Sequence, residues 1–162
     1  MKKVLLFTMM CVLGLFTVRA QQTITIGEDG EGVNSNLPTQ MYYEYSLTQQ
    51  IYTGAEMNFT PGNITKIAFF QIDPSATLER DVVVYMVNTD KEIFENNYDW
   101  VPVTSADIVY EGKFTTGDAN SWIEIELQNP FAYAGGNFVI CMQDNTGAWY
   151  NQVGFKTFIV ES

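Results

Sequence analysis

The hydrophobic pattern of the chain is that of β-strands, and it is clearest between Arg80 and Trp100. Apolar side chains occupy both faces of the first part of this segment at the two-residue period of a strand. A strand with two apolar faces is covered on both sides, so the pattern predicts a central strand. A crossover loop with a short helical turn over residues 89–97 is predicted to follow it. The alternating residues are Val82, Val84 and Met86 on one face, and Val83, Tyr85 and Val87 on the other.

Seven further segments show strand patterns separated by turn residues. The best is Ser121–Leu127, in which Ile123 and Ile125 face inward while Glu124 and Glu126 face water, until Asn129 and Pro130 end the strand. With about eight strands and no long helix, the chain is predicted to be an all-β, antiparallel β-sandwich of the jelly-roll-like kind. The other predicted strands are residues 23–26, 42–52, 63–72, 107–114, 138–143 and 152–160, with one helical turn at 54–57.

The first 20 residues have the pattern of an export signal. Lys2 and Lys3 precede an apolar run over residues 4–18, and Ala20 precedes the expected cleavage point. The alternative, an uncleaved membrane anchor, is disfavoured because the run is shorter than the ~20 residues that span a bilayer. Residues 21–162 are then expected to form a single β-sandwich domain that is secreted or held at the cell surface.

The charge of the chain argues against two classes of partner. There are 19 acidic and 8 basic residues, a net charge of −11, and three of the basic residues lie in the predicted signal. Nucleic acid and anionic membrane surfaces are therefore poor partners, and no membrane insertion is expected after signal cleavage.

The chain has no histidine and two cysteines, which removes several kinds of chemistry. Histidine-based triads and the common zinc sites are excluded. Cys11 lies in the predicted signal, so Cys141 is left without a partner and is expected to be a buried small hydrophobic residue. The segment GEDGEG at residues 27–32 is acidic but lacks EF-hand spacing, so we expect a solvated loop, no metal site and no cofactor.

The candidate binding residues are aromatics in or beside predicted loops. Trp100, Trp149 and Tyr150 can stack on a sugar, and Asp144, in the turn before Trp149, can accept hydrogen bonds from sugar hydroxyls. Structural burial of the aromatics and ordinary turn chemistry of the aspartate explain these residues about as well. The paired carboxylates Glu124 and Glu126, ~6–7 Å apart along their strand, have a spacing that glycosidases use, but alternating surface acids are common in strands.

Five motifs occur in the order of a known family. They are SLTQQIYTGAEM at Ser46–Met57, ITKIAFFQ at Ile64–Gln71, VVVYMVNTDKEIF at Val82–Phe94, DWVPV at Asp99–Val103 and WIEIELQNPFAYAGGNFVICMQDNTGAWY at Trp122–Tyr150. Together they resemble the β-sandwich module that is found, often repeated, in large secreted or cell-surface proteins of Bacteroidetes. The resemblance implies a jelly-roll-like fold and supplies no catalytic residues.

The export signal, the all-β pattern and this resemblance together favour a noncatalytic adhesion or interaction module, with a surface glycan or a protein as its partner. A carbohydrate-binding module using the loop aromatics is the alternative.

The sequence departs from the family pattern at its end. No second module follows, and the chain ends in FIVES where such modules usually continue through another strand. We therefore expect a truncated domain, in which Val153, Phe155 and Phe158 lack a neighbouring strand and leave an open, self-associating edge.

The export signal gives a direct prediction. If residues 1–20 are removed during secretion, the mature protein begins at Gln21. Amino-terminal sequencing and the intact mass of the secreted protein measure this, and a mature protein that retains Met1 would contradict it.

Overall fold

The computed structural model describes residues 21–27, 32–34, 36–151 and 153–157. The predicted signal, the acidic loop residues Glu28, Asp29 and Glu31, and Phe158 lie outside these ranges. The described chain forms eight strands, one short α-helix and one 3₁₀ turn. They are β1 (Gly32–Asn34), β2 (Ser46–Tyr52), α1 (Gly54–Met57), β3 (Gly62–Asp73), β4 (Glu79–Thr89), the 3₁₀ turn (Ser105–Asp107), β5 (Ile108–Thr115), β6 (Ser121–Tyr133), β7 (Asn137–Asp144) and β8 (Gly154–Thr157).

The strands form two antiparallel four-stranded sheets, which confirms the predicted β-sandwich. The first sheet has the order β1-β8-β3-β6 and the second β2-β7-β4-β5. The pairing is nested, since β4 pairs with β5, β3 with β6, β2 with β7 and β1 with β8. This is one long hairpin rolled over itself, the jelly-roll arrangement.

The main core lies between the two sheets and follows from the alternation of the strands. Ile123 and Ile125 of β6 are buried as predicted, and Glu124 and Glu126 are exposed. The ring of Phe114 lies 6.2 Å from Phe69 and 6.0 Å from Phe155, centroid to centroid, and so joins β5 to two strands of the other sheet. Val82, Val84 and Met86 of β4 belong to the same core.

The prediction of a central strand covered on both faces is confirmed for β4. It lies between β7 and β5, and its second apolar face, with Tyr85 and Val87, is also covered. The cover is the segment between β4 and β5, which we call the crossover loop (residues 90–104). Its apolar side chains, Phe94, Val101 and Val103, pack with Val139 and Cys141 of β7 in a second, smaller cluster.

Two of the predicted elements do not form. Residues 23–26 form no strand, although Ile24 and Ile26 pack against the core. Residues 90–97 form bends and a turn rather than a helical turn, and Thr89 is the last residue of β4. The reason is that side chains bridge the loop: Lys91 binds the Asp99 carboxylate at 2.6 and 2.7 Å, and the backbone N–H of Glu95 donates to the same carboxylate.

Strand β6 continues past the predicted stop at Asn129 and Pro130. The register explains how: Lys66 pairs with Glu126 but Ile64 pairs with Phe131, so the ladder skips the segment containing the proline, which has no N–H to offer. In that segment the Gln128 side chain exchanges two hydrogen bonds with the backbone of Glu111, at 3.1 and 2.8 Å. Side chains of one edge strand thus close the gap to the edge strand of the facing sheet.

The expectation that the last strand lacks a neighbour was wrong. Strand β8 lies inside its sheet, between β1 and β3, with Phe155 opposite Asn34 on one side and Gln71 on the other. Val153 and Phe155 are buried in the main core. The pairing with β1 could not be read from the sequence, because the partner is a three-residue strand near the other end of the chain.

Cys141 is fully buried on the covered face of β7, as predicted. Burial raises the pKa of its thiol, an effect that a hydrogen bond with Gln49 partly offsets. We expect a maleimide to label Cys141 in the native protein at least about a hundredfold more slowly than in denaturant, because the thiolate is disfavoured and shielded. Mass spectrometry of the Cys141 peptide measures the two rates, and equal rates would contradict the assignment.

Candidate functional site

A buried ion pair lies beneath one end of the sandwich. Arg80, at the start of β4, donates from Nε to Oδ2 of Asp144, the last residue of β7, at 2.6 Å, and both side chains are 0% exposed. The two strands are neighbours in the second sheet, so the pairing of β4 with β7 brings the charges together. A buried charge is tolerated only when its partner and its hydrogen bonds are complete.

The two terminal nitrogens of Arg80 hold two loops. Nη1 donates to the carbonyl of Ala148 at 2.6 Å, and Nη2 donates to the carbonyl of Tyr43 at 2.9 Å. The guanidinium also lies 5.4 Å from the ring centroid of Tyr150, within the range of a cation–π contact. One side chain therefore fixes the segment before β2 and the segment after β7 relative to each other.

Asp144 belongs to this buried network, a position that does not suit the predicted role of a surface acceptor for sugar hydroxyls. Besides Arg80, its carboxylate accepts from the Thr39 hydroxyl at 3.0 Å and from both the N–H and the hydroxyl of Thr146, at 3.0 and 2.6 Å. The residue is 1% exposed. It orients the turn that carries Trp149 rather than presenting an acceptor at the surface.

The two loops fixed by Arg80 present a cluster of exposed aromatic side chains. They line an open cavity of about 480 Å³, which we call the tyrosine cleft. Trp149 is 63% exposed, and the three tyrosines are similarly accessible. The residues that line the cleft are Tyr42, Tyr43, Glu44, Tyr45 and Trp149.

Backbone contacts hold the two sides of the tyrosine cleft together. The N–H of Gly147 donates to the carbonyl of Glu44 at 2.9 Å, and the N–H of Tyr150 donates to the carbonyl of Met41 at 2.9 Å. Gly147 has a φ of +71°, and a Cβ there would lie 3.1 Å from the hydroxyl oxygen of Tyr45. Glycine is thus needed both for the turn and for the close approach of Tyr45.

The structure brings together only part of the predicted set. Trp149 lines the tyrosine cleft and Tyr150 adjoins it above Arg80, whereas Trp100 lies in a different cavity. The tyrosines before β2 are absent from the predicted set because the sequence pattern predicts one strand over residues 42–52, while the strand begins at Ser46. The run YYEY alternates poorly, and that was the available signal that it lies outside a strand.

Trp100 belongs to a second cavity of about 310 Å³, which we call the tryptophan cleft; it lies where the crossover loop meets β2. The Gln49 side chain of β2 exchanges two hydrogen bonds with the backbone of Val101, at 2.7 and 2.9 Å. Hydrogen bonds from Lys91 and from the Glu95 N–H lower the pKa of Asp99, so this carboxylate stays ionised and braces the loop. The lining residues are Gln49, Phe94, Asn96, Asn97, Asp99 and Trp100.

The paired carboxylates Glu124 and Glu126 lie on the other sheet. Both bind the ammonium of Lys66, each at 2.7 Å, and these bonds raise the lysine pKa. Within the described ranges, no three acidic or cysteine side chains are grouped as a metal would require. The helical segments of that same part of the chain are only three or four residues long, too short to span a bilayer.

Comparisons with protein-family models, with curated proteins and with solved structures found no match to this chain. The resemblance to the Bacteroidetes module thus stays a prediction from the sequence motifs.

The buried ion pair can be tested by a double-mutant cycle. Arg80→Leu and Asp144→Leu should each lower the free energy of unfolding by about 3–5 kcal/mol, because each leaves an uncompensated buried charge. The double variant should lose much less than the sum of the two, because neither charge remains. Denaturant unfolding of the four proteins measures this.

The control for this cycle is Lys113→Ala, which breaks the pair with Asp81, in which both side chains are about half exposed. Its free energy of unfolding should stay close to that of the parent protein. Small, additive effects of the Arg80 and Asp144 substitutions would contradict the assigned role.

Proposed function

We propose that this protein is a noncatalytic binding module, secreted or held at the cell surface, that binds carbohydrate in the tyrosine cleft. The observation that carries the proposal is the set of four exposed aromatic side chains, Tyr42, Tyr43, Tyr45 and Trp149, on two loops fixed by one buried arginine. Contact of this much aromatic surface with water is unfavourable in free energy, and a ligand that covers the surface removes that cost.

The chemistry of the cleft suits a sugar. A pyranose ring has a face of C–H bonds and a rim of hydroxyls, so it stacks on an aromatic ring and hydrogen-bonds at its edges. Tyrosine and tryptophan supply both an apolar face and a polar tip, and the carboxylate of Glu44 adds an acceptor. The acidic net charge favours a neutral or basic glycan over an acidic one.

The size and the rigidity of the cleft support a small contact rather than a broad interface. A volume of about 480 Å³ is within the range of small-ligand sites. Since Arg80 and Gly147 already hold the two loops, less ordering entropy is lost on binding.

The family resemblance supports the same proposal from a different direction. A module of surface proteins with an adhesive role has glycans among its expected ligands, and the five ordered motifs imply no catalytic residues. Fold alone does not decide the ligand. The proposal of carbohydrate binding therefore depends on the aromatic side chains of the tyrosine cleft.

The proposal predicts glycan binding that depends on the tyrosine cleft. On an array of neutral and charged glycans, the protein should retain one or more neutral glycans. Trp149→Ala and Tyr45→Ala should each weaken that binding by more than about tenfold, because each removes a stacking surface. Titration calorimetry with the retained glycan measures the affinities.

The matched control is Trp122→Ala. Trp122 is a tryptophan of comparable exposure, 50%, but it lies on β6 in the other sheet, where it packs edge-on against Phe70. Its replacement should leave glycan affinity unchanged. A blank array together with binding of a proline-rich peptide, which also docks on aromatic grooves, would replace the proposal with peptide recognition.

A further inference from the structure

The two aromatic clefts lie along the same strand. Tyr45, which lines the tyrosine cleft, directly precedes β2, and Gln49, which lines the tryptophan cleft, is in the middle of β2. The two residues are four positions apart in the sequence, a span of at most about 13 Å at the rise of a strand. Strand β2 is an edge strand of its sheet in the described structure, so one flank of this path is open.

The surface between the clefts is also suited to a ligand. Leu47 precedes Gln49 by the two-residue period that places side chains on one face of a strand, and it is 47% exposed. Its partner on β7 is Gln143, which accepts a hydrogen bond from the Tyr85 hydroxyl at 2.9 Å and donates one to Asn145 at 3.0 Å. The floor is therefore an exposed leucine beside a fixed amide.

The tryptophan cleft at the far end has the same kind of lining as the tyrosine cleft. Trp100 is 44% exposed, and the amides of Asn96 and Asn97 lie beside it. The loop that bears these residues is fixed by the bonds of Gln49 to Val101 and of Lys91 to Asp99. An aromatic surface and amides on a braced loop again offer stacking together with hydrogen bonding.

From this arrangement we infer that the ligand is a linear, neutral oligosaccharide that lies along β2, with one part in the tyrosine cleft and another in the tryptophan cleft. The inference rests on the proposed function and adds the form of the glycan to it: an extended chain long enough to reach both clefts. Glu44 places a carboxylate in the tyrosine cleft, and the chain has a net charge of −11, so an acidic polysaccharide would meet negative charge along this path.

Binding at two linked positions has a measurable signature, because the second contact is made at high effective concentration once the first has formed. The test titrates a disaccharide and a hexasaccharide of the neutral glycan that the array retains. The hexasaccharide should bind at least about tenfold more tightly than the disaccharide. With Trp100→Ala, the hexasaccharide should bind no more tightly than the disaccharide.

Two further variants make the result unambiguous. Leu47→Glu introduces a charge midway along the path at an exposed strand position, and it should remove the length dependence in the same way if Trp100→Ala is poorly folded. Trp122→Ala, on the other sheet, should retain the full length dependence. Far-ultraviolet circular dichroism and thermal melting of each variant show that it is folded.

The outcomes separate this inference from the proposed function. The path along β2 would be overturned by equal affinity for both lengths, or by full length dependence in folded Trp100→Ala and Leu47→Glu. If Trp149→Ala still loses binding in that case, the proposed role of the tyrosine cleft is retained. Failure of the parent protein to bind any glycan would overturn both.

Discussion

The structure depends on a charge that must be satisfied where water cannot reach it. Arg80 lies at the start of the central strand β4, and its guanidinium is stable in the interior because each of its three nitrogens donates a hydrogen bond, one to Asp144 and two to loop carbonyls. A well-packed apolar residue at both positions can match such a pair in stability, but it cannot specify where the carbonyls of Tyr43 and Ala148 lie. The pair therefore fixes the segment before β2 and the segment after β7 as the two walls of the tyrosine cleft.

A second requirement of the structure concerns the outer face of the second sheet. A jelly roll buries one face of each sheet against the other, yet β4 and β7 are apolar on both faces, so the outer face needs a cover of its own. The crossover loop supplies it with Phe94, Val101 and Val103, and it is braced by the side chains of Gln49 and Asp99 rather than by regular secondary structure. The tryptophan cleft, with Trp100, lies at the border of this loop, where the loop meets β2.

Alternation along the chain predicted the fold class and the inside and outside of β4 and β6, because strand periodicity is a local property of the sequence. Three features could not be predicted because they are long-range. The partners of β8, the burial of Asp144 and the meeting of Tyr45 with Trp149 all depend on strands far apart in sequence. Within the site, the position of Trp149 and Tyr150 after a turn allowed their prediction from the sequence. The tyrosine run before β2 could not be told from a strand. The hydrogen bonds of Thr146 and Thr39 to the buried Asp144 have no sequence signature.

The nested pairing has a kinetic meaning. In a rolled hairpin only β4 and β5 can pair locally, and each further pair closes a longer loop at a higher entropic cost, so folding is expected to be slow and to finish with the outermost strands. The tyrosine cleft is built from the segment before β2 and the segment after β7, which meet only when the second pair from the outside has formed. The cleft therefore forms only after the long-range pairing of β2 with β7, and recognition by this module is at the same time a report that these two distant strands have met.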